Sequence, residues 1–338
     1  MKIFLKFSLI LFYLSLTVSF VQAEDPAPLT ILQTANKFSF KPYQARIVSK
    51  IYRGLKTQRR QALVKIESPQ HYKKEFFAPD GKLERVIYAN AGTEWIYYPK
   101  KNTVRKGMAK KFQAKLIPEE KEWELLQQNY DLSLESDEPI AGRPVWTIKI
   151  SPKEKIKPGR ILWIDKNQYI ILQSKEFRPD GTLESESTFE NIFFPDHLDI
   201  DTAAFAIPPG ASVSDHGFAP NFLSWDDVKK SNAKVPVLPK NLPSGFVFES
   251  VDFLNIKGKK VSHLRFTDGL SVISIFESDA PISSKTENLK SLMNDLAQYA
   301  GFSKAGKVLQ WKFGNHYFIL IGNLSQEALQ KISQSLKS

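Results

Sequence analysis

From Tyr43 to Phe193 apolar and polar side chains alternate with a period of two, and the alternation restarts after each cluster of turn-forming residues. In the first run Ala45, Ile47, Ser49 and Ile51 share one face of a strand while Arg46, Val48 and Lys50 take the other. Ten further runs follow, at 62–67, 72–78, 83–90, 93–99, 102–107, 130–135, 144–151, 160–165, 169–178 and 182–193. About eleven short antiparallel strands are expected, the pattern of a sandwich or barrel rather than of parallel β-α-β units. Two interruptions read as helices. Leu29, Leu32, Ala35 and Phe38 recur one turn apart, and Pro118 followed by Glu119 and Glu120 is a favourable helix start.

The pattern carries one echo. Lys74-Glu75-Phe76 leads into Pro79-Asp80-Gly81, and Lys175-Glu176-Phe177 leads into Pro179-Asp180-Gly181. Proline presets one turn dihedral and glycine supplies the positive one, so both are hairpin tips whose carboxylates are turn formers. Beyond Phe205 the periodicity fades. Six of the twenty prolines fall between 205 and 245, which reads as a linker with a short helix near 224–230. A compact mixed pattern follows, with strands expected at 246–255, 261–266, 271–277, 307–313 and 317–321 and helices at 287–300 and 325–336.

Lys2 and Lys6 precede an apolar run from Phe7 to Val21 that ends in Val21-Gln22-Ala23, the layout of a secretory signal peptide over residues 1–23. The expected location is outside the cytoplasm, peripheral to a membrane and not spanning it. The full chain carries +11 and, without those two lysines, +9. Outside the cytoplasm a basic balance points to lipid headgroups, anionic glycolipid or an acidic protein segment, and no nucleic-acid partner is expected. The chain has no cysteine, which excludes disulfides and thiolate sites. No His-x-x-x-His pair, Gly-x-Ser-x-Gly elbow or phosphate-binding glycine loop occurs, and nothing brings Asp165, Asp180, Asp199 and Asp201 together. No catalytic residue, metal or cofactor is therefore expected.

Two constellations are candidates for binding. Trp95, Tyr97, Trp146 and Trp163 lie inside strands, with Phe112 and Trp123 in the helical interruption. They either fill an ordinary β core or line a cavity for acyl chains under an incompletely covered sheet. Lys100, Lys101, Arg105, Lys106, Lys110, Lys111 and Lys115 put seven cations into sixteen residues without an acid. They form either a solvated loop or a rim for an anionic headgroup or an acidic partner.

Ile140-Ala141-Gly142-Arg143-Pro144-Val145, Leu162-Trp163-Ile164-Asp165 and Phe177-Arg178-Pro179-Asp180-Gly181 resemble the motif series of the MucB/RseB family, periplasmic regulators of the envelope-stress sigma factor. Leu242-Pro243-Ser244-Gly245-Phe246, Arg265 to Phe276 and Ile321-Gly322-Asn323-Leu324 are similar to its C-terminal domain. The resemblance implies a mainly β protein: a LolA/LolB-like antiparallel half-barrel with covering helices at 24–207, a proline-rich linker at 208–241, and a smaller α/β domain at 242–338. It further implies binding to the periplasmic part of an anti-sigma factor, shielding it from proteolysis. Arg265, Phe266, Thr267, Asp268, Gly269 and Leu270 would contribute to that contact, and lipopolysaccharide, lipid or lipoprotein acyl chains would release it. A periplasmic lipoprotein carrier of the LolA/LolB type is the alternative.

Overall fold

The computed structural model describes residues 25–338 apart from 39–40, 109–116, 137, 197, 199, 201–204, 216–222, 231–234, 257, 283–305 and 337–338. The expected signal peptide and the expected helix at 287–300 lie outside the described residues.

Helix α1, Pro28–Lys37, opens the fold with proline at its first position. Six strands then run as a meander: β1 (Tyr43–Arg53), β2 (Lys56–Ser68), β3 (His71–Phe77), β4 (Leu83–Asn90), β5 (Thr93–Tyr98) and β6 (Thr103–Met108). Helix α2 (Glu119–Asn129) separates them from a second meander of β7 (Tyr130–Glu135), β8 (Val145–Pro152), β9 (Gly159–Asp165), β10 (Ile171–Phe177) and β11 (Leu183–Phe193). The last strand returns to the first. β11 pairs antiparallel with β1, Ile47 opposite Phe189 and Ser49 opposite Ser187, and Lys50 Nζ lies 2.6 Å from Glu186 Oε1 across the join.

One open sheet of twelve strands results, in the order β12-β6-β5-β4-β3-β2-β1-β11-β10-β9-β8-β7. The twelfth strand was not expected. β12 (Ser212–Asp215) lies in the stretch read as linker and pairs parallel with β6. Asn102 in the β5–β6 turn arranges this: its carbonyl accepts from Ser212 N at 3.1 Å and its Nδ2 donates to Pro209 O at 3.2 Å. The echoed hairpins both form as read. Gly81 and Gly181 take φ of 81° and 80°, and Asp80 and Asp180 accept from the backbone N–H two residues on.

The helices cover one end of the sheet. Ile31, Leu32 and Leu126 pack on Trp146, Ile148, Ile150, Leu162 and Ile164 of β8 and β9. Each fully buried aliphatic contributes about 1.5–3 kcal/mol. Glu119, Glu120 and Glu122 occupy the positive first turn of α2.

Two motifs of the resemblance meet at the β9–β10 turn. Asp165 is fully buried; its carboxylate accepts from Arg143 Nε and Nη2 and from the N–H groups of Asn167 at 2.8 Å and Gln168 at 2.6 Å. Its role is to hold this turn and the 140–143 loop together. Asp165→Ala leaves these donors and a largely covered guanidinium unpaired, so a loss of about 3 kcal/mol is expected in denaturant unfolding. A change under 1 kcal/mol would refute that role.

The second sheet has the order β13-β14-β15-β17-β16, from β13 (Val247–Ile256), β14 (Lys259–Thr267), β15 (Val272–Ser278), β16 (Lys307–Phe313) and β17 (His316–Gly322). The closing helix α4, Gln326–Ser335, is capped by Ser325 Oγ accepting from Ala328 N. Its Leu329 and Ile332, with Leu336 just beyond, pack on Leu264, Phe318 and Leu320. A short helix α3 (Trp225–Lys230) closes the same core through Val228.

Candidate functional site

The structure distributes the five described aromatic candidates rather than gathering them. Trp146 and Trp123 join the cluster under α1 and α2, where Trp146 Nε1 donates to Asp25 Oδ1 at 3.1 Å and Trp123 Nε1 donates to Glu119 Oε1 at 3.0 Å. Trp163 packs beside the Tyr43–Phe189 core with Lys175 Nζ 5.2 Å over its ring. Trp95 stacks on Phe205 and packs at a tilt against Tyr88 in a third cluster, and Tyr97 donates its hydroxyl proton to Asn102 Oδ1 at 3.2 Å. Phe112 lies outside the described residues. Which ring joins which cluster follows from strand register, which a single sequence does not print.

The basic run is divided as well. Lys100 and Lys101 are exposed on the β5–β6 turn. Arg105 lies across from Ile96 and Lys106 across from Trp95, on opposite faces of β6. Lys110, Lys111 and Lys115 lie outside the described residues.

Arg105 belongs to a surface that sequence reading missed. Register places Tyr72, Lys74, Phe76, Arg85, Ile87, Ile96, Tyr98 and Arg105 on one face of β3 to β6. Lys74 Nζ sits 4.2 Å over the Tyr72 ring, the Arg85 guanidinium 4.2 Å over Phe76, and Arg105 5.6 Å over Tyr98. Arg60, two residues before the Ala62 that pairs with Phe76, directs its Nη2 to Glu84 Oε1 at 3.2 Å, and the Nε atoms of Arg60 and Arg85 are buried without a hydrogen-bond partner among the described residues. Cations laid on aromatic rings, with spare donors, suit a ligand that joins an anionic group to an apolar body. The signal was present as Tyr72-x-Lys74-x-Phe76 but read as ordinary alternation.

The most organised polar group joins the two sheets. Lys157, in the β8–β9 loop, and Asp268, in the β14–β15 turn, are both fully buried. Lys157 Nζ donates to Asn129 Oδ1 at 2.7 Å and to Ser244 O at 2.8 Å, and lies 3.9 Å from Asp268 Oδ2. Tyr130 donates its hydroxyl proton to Asp268 Oδ2 at 2.9 Å, while Leu270 N and Ser271 N donate to Asp268 Oδ1. Asn129 Nδ2 donates to the carbonyls of Leu125, Gly245 and Asp268. Burial pushes the Asp268 carboxyl above its ordinary range, opposed by these N–H groups and by Lys157; burial likewise holds Lys157 below its ordinary value. Burial and the Asp268 charge push the Tyr130 hydroxyl upward, which keeps it a donor.

The segment assigned to a partner by resemblance is therefore engaged inside the molecule. Phe266 is in the second core, Thr267 and Asp268 are buried, Leu270 packs on the α2 cluster, and Arg265 pairs with Glu249 at 3.2 Å. Gly269 rests directly against the backbone of α2. Among the described residues the one close histidine–hydroxyl pair, His263 Nε2 and Ser274 Oγ at 3.0 Å, is sealed in the second sheet with both residues buried. Among the described residues no group of three His, Cys, Asp or Glu could hold a metal ion, and no helix is long and apolar enough to cross a membrane.

Residues 61–203 match the family model of the MucB/RseB N-terminal domain. The fold is similar to that of a crystal structure of MucB in complex with MucA(peri) over 90% of this chain and 95% of that one, at 15% identity and a TM-score of 0.52. A complex structure of Pseudomonas aeruginosa MucA/MucB covers the same shares at 15% identity and a TM-score of 0.50. A LolA superfamily protein from Nitrosomonas europaea covers 52% of this chain and 96% of its own, at 9% identity and a TM-score of 0.26. No curated protein matches the chain.

Proposed function

This chain belongs to the MucB/RseB family through the domain at residues 61–203, and from that premise we propose that it is a non-enzymatic periplasmic regulator. It grips the periplasmic part of a membrane-anchored anti-sigma factor and shields it from proteolysis. The face carrying Lys74, Arg85 and Arg105 takes the anionic group of a lipid or acylated ligand, whose apolar part lies along Tyr72, Phe76 and Tyr98.

The observation that carries the regulator reading over a lipoprotein carrier is the second sheet. A carrier needs only the open sheet, whereas here a five-stranded unit with its own core is locked to it by a buried polar cluster. That cluster supplies the two-state element regulation requires, because a ligand shifts such an equilibrium only through its differential affinity for the two arrangements. The Arg265–Leu270 segment contributes to partner binding in the arrangement where the Asp268 turn leaves α2.

Calorimetric titration of the protein with the periplasmic segment of its organism's single-span anti-sigma factor is expected to give a saturable one-site isotherm. Prior loading with lipopolysaccharide should weaken it at least tenfold, and Arg85→Glu should abolish that sensitivity without altering the unliganded affinity. Absence of binding together with co-purification of lipoprotein would instead establish the carrier. Native mass spectrometry of gently purified protein checks the ligand separately. A clean apo mass after addition of anionic lipid would remove the lipid face and leave only the protein–protein surface.

A further inference from the structure

The basic turn residues of the β1–β6 meander are not distributed evenly between its two ends. Arg53 pairs with Lys56 across the β1–β2 turn, Phe77 with Leu83 across the β3–β4 turn, and Tyr98 with Thr103 across the β5–β6 turn. The cross-strand partners Gln61–Phe77 and Val86–Tyr97 fix these three turns at the same end, side by side. They carry Arg53, Lys56, Lys82, Lys100 and Lys101, all exposed, against the single acid Asp80. The turns at the opposite end of these strands, at 69–70 and 91–92, carry no basic residue.

The β1–β2 tip also carries Leu55, whose 106% relative exposure is the largest among the described exposed hydrophobic residues. An apolar side chain held entirely in water at the apex of a hairpin gives nothing to the fold. Gly54 beside it has φ of 58°, and a Cβ built there, or on Gly81 of the next tip, would meet nothing within 4 Å. The tip is held at its base, since Arg178 of the β10–β11 hairpin donates to Tyr52 O.

We propose that this end of the sheet docks on the surface of an anionic lipid bilayer. Leu55 enters the headgroup–acyl boundary, while Arg53, Lys56, Lys82, Lys100 and Lys101 lie on lipid phosphates. The shape decides between a membrane and an acidic peptide. The three tips lie side by side, with open space at Gly54 and Gly81 and an exposed leucine beside the cations, an arrangement that a plane can meet as a whole. The chemistry is that of interfacial binding, an apolar wedge beside several cations, each worth about fivefold in partitioning near an anionic surface. This surface is separate from the face of β3 to β6 proposed to hold lipid, and either can fail without the other.

The chain has no cysteine, so Leu55→Cys offers a unique labelling site. Labelled there with an environment-sensitive fluorophore, the protein is expected to show a blue shift with phosphatidylglycerol/phosphatidylcholine vesicles and none with phosphatidylcholine alone. The same label on Gln70→Cys, in the β2–β3 turn at the other end, should not respond. In co-sedimentation of the unlabelled protein, Leu55→Ser should weaken anionic-vesicle binding about tenfold. Lys56→Glu with Lys101→Glu should weaken it at least twenty-fivefold, and added salt should weaken the original protein. Failure to sediment with anionic vesicles, or sedimentation with the Leu55 label unmoved, overturns the proposal. A shift produced by soluble polyglutamate but not by vesicles overturns it in favour of an acidic protein partner.

Discussion

Gly269→Ala will separate the second sheet from the first while leaving both folded. A Cβ at this position would lie 2.4 Å from Leu126 N, 2.7 Å from Glu122 O and 2.9 Å from Leu125 C, all backbone of α2. Helix backbone cannot swing aside as a side chain can, so either the turn or the helix must retreat. Gly269 also has φ of 93°, a conformation that costs an alanine about 1–3 kcal/mol. Overpacking adds about 1–3 kcal/mol. The combined cost falls on the contact between the sheets, since the Leu264–Phe318 core and the Trp146–Ile164 core lie on either side of it. Calorimetry is expected to resolve two transitions where the original protein shows one. Gly54→Ala supplies the control: its φ is also positive, at 58°, but no atom lies within 4 Å, so only backbone strain is added. Equal effects from the two substitutions would mean that the close approach to α2 is energetically empty.

Lys157→Met will cost about 3–5 kcal/mol, because it leaves the buried Asp268 carboxylate without its cation and the Asn129 and Ser244 oxygens without their donor. The double variant with Asp268→Asn should recover part of that loss, and the interaction energy from the double-mutant cycle measures the pair. The pH dependence has a definite sign. Burial raises the Asp268 carboxyl above its ordinary value, so its contribution is fully present below that value and is lost as pH rises through the raised one. Removing Lys157 raises that carboxyl further. The destabilisation of Lys157→Met should therefore be greatest near neutrality and shrink as acid protonates Asp268. A constant difference across that range would mean that Asp268 is held ionised by its N–H donors and Tyr130 alone.

Much of the fold was legible because it is local. The first strand starts at Tyr43 as read, 83–90 and 130–135 match β4 and β7 to the residue, and the other eight strands of the meanders differ by a few residues at their ends or, for β2, by an early start. Period-two alternation between glycine and proline turns specifies a strand whatever it pairs with. β12 escaped because four residues, Ser212–Asp215, offer no periodicity to read, and their pairing is induced by Asn102 more than a hundred positions away. The binding residues were legible only as types. Trp95 and Trp163 look alike in sequence, yet register sends one to Phe205 and the other to Lys175.

Asp268-Gly269 shows the same limit in one dipeptide. In the sequence it is a hairpin turn between two strands, and it is one, with Asp268 accepting from the N–H groups of Leu270 and Ser271. That the same turn lies on α2, with Tyr130 and Lys157 closing over its carboxylate, depends on contacts from more than a hundred residues upstream. The sequence by itself determined the strands of the two meanders, their turns and the cysteine-free character of the chain, because each follows from side chains adjacent along the backbone. Tertiary structure alone decided that β11 returns to β1, that cations settle on rings across β3 to β6, and that one sheet is locked to the other. Those outcomes depend on register and burial, which exist only once distant segments have met.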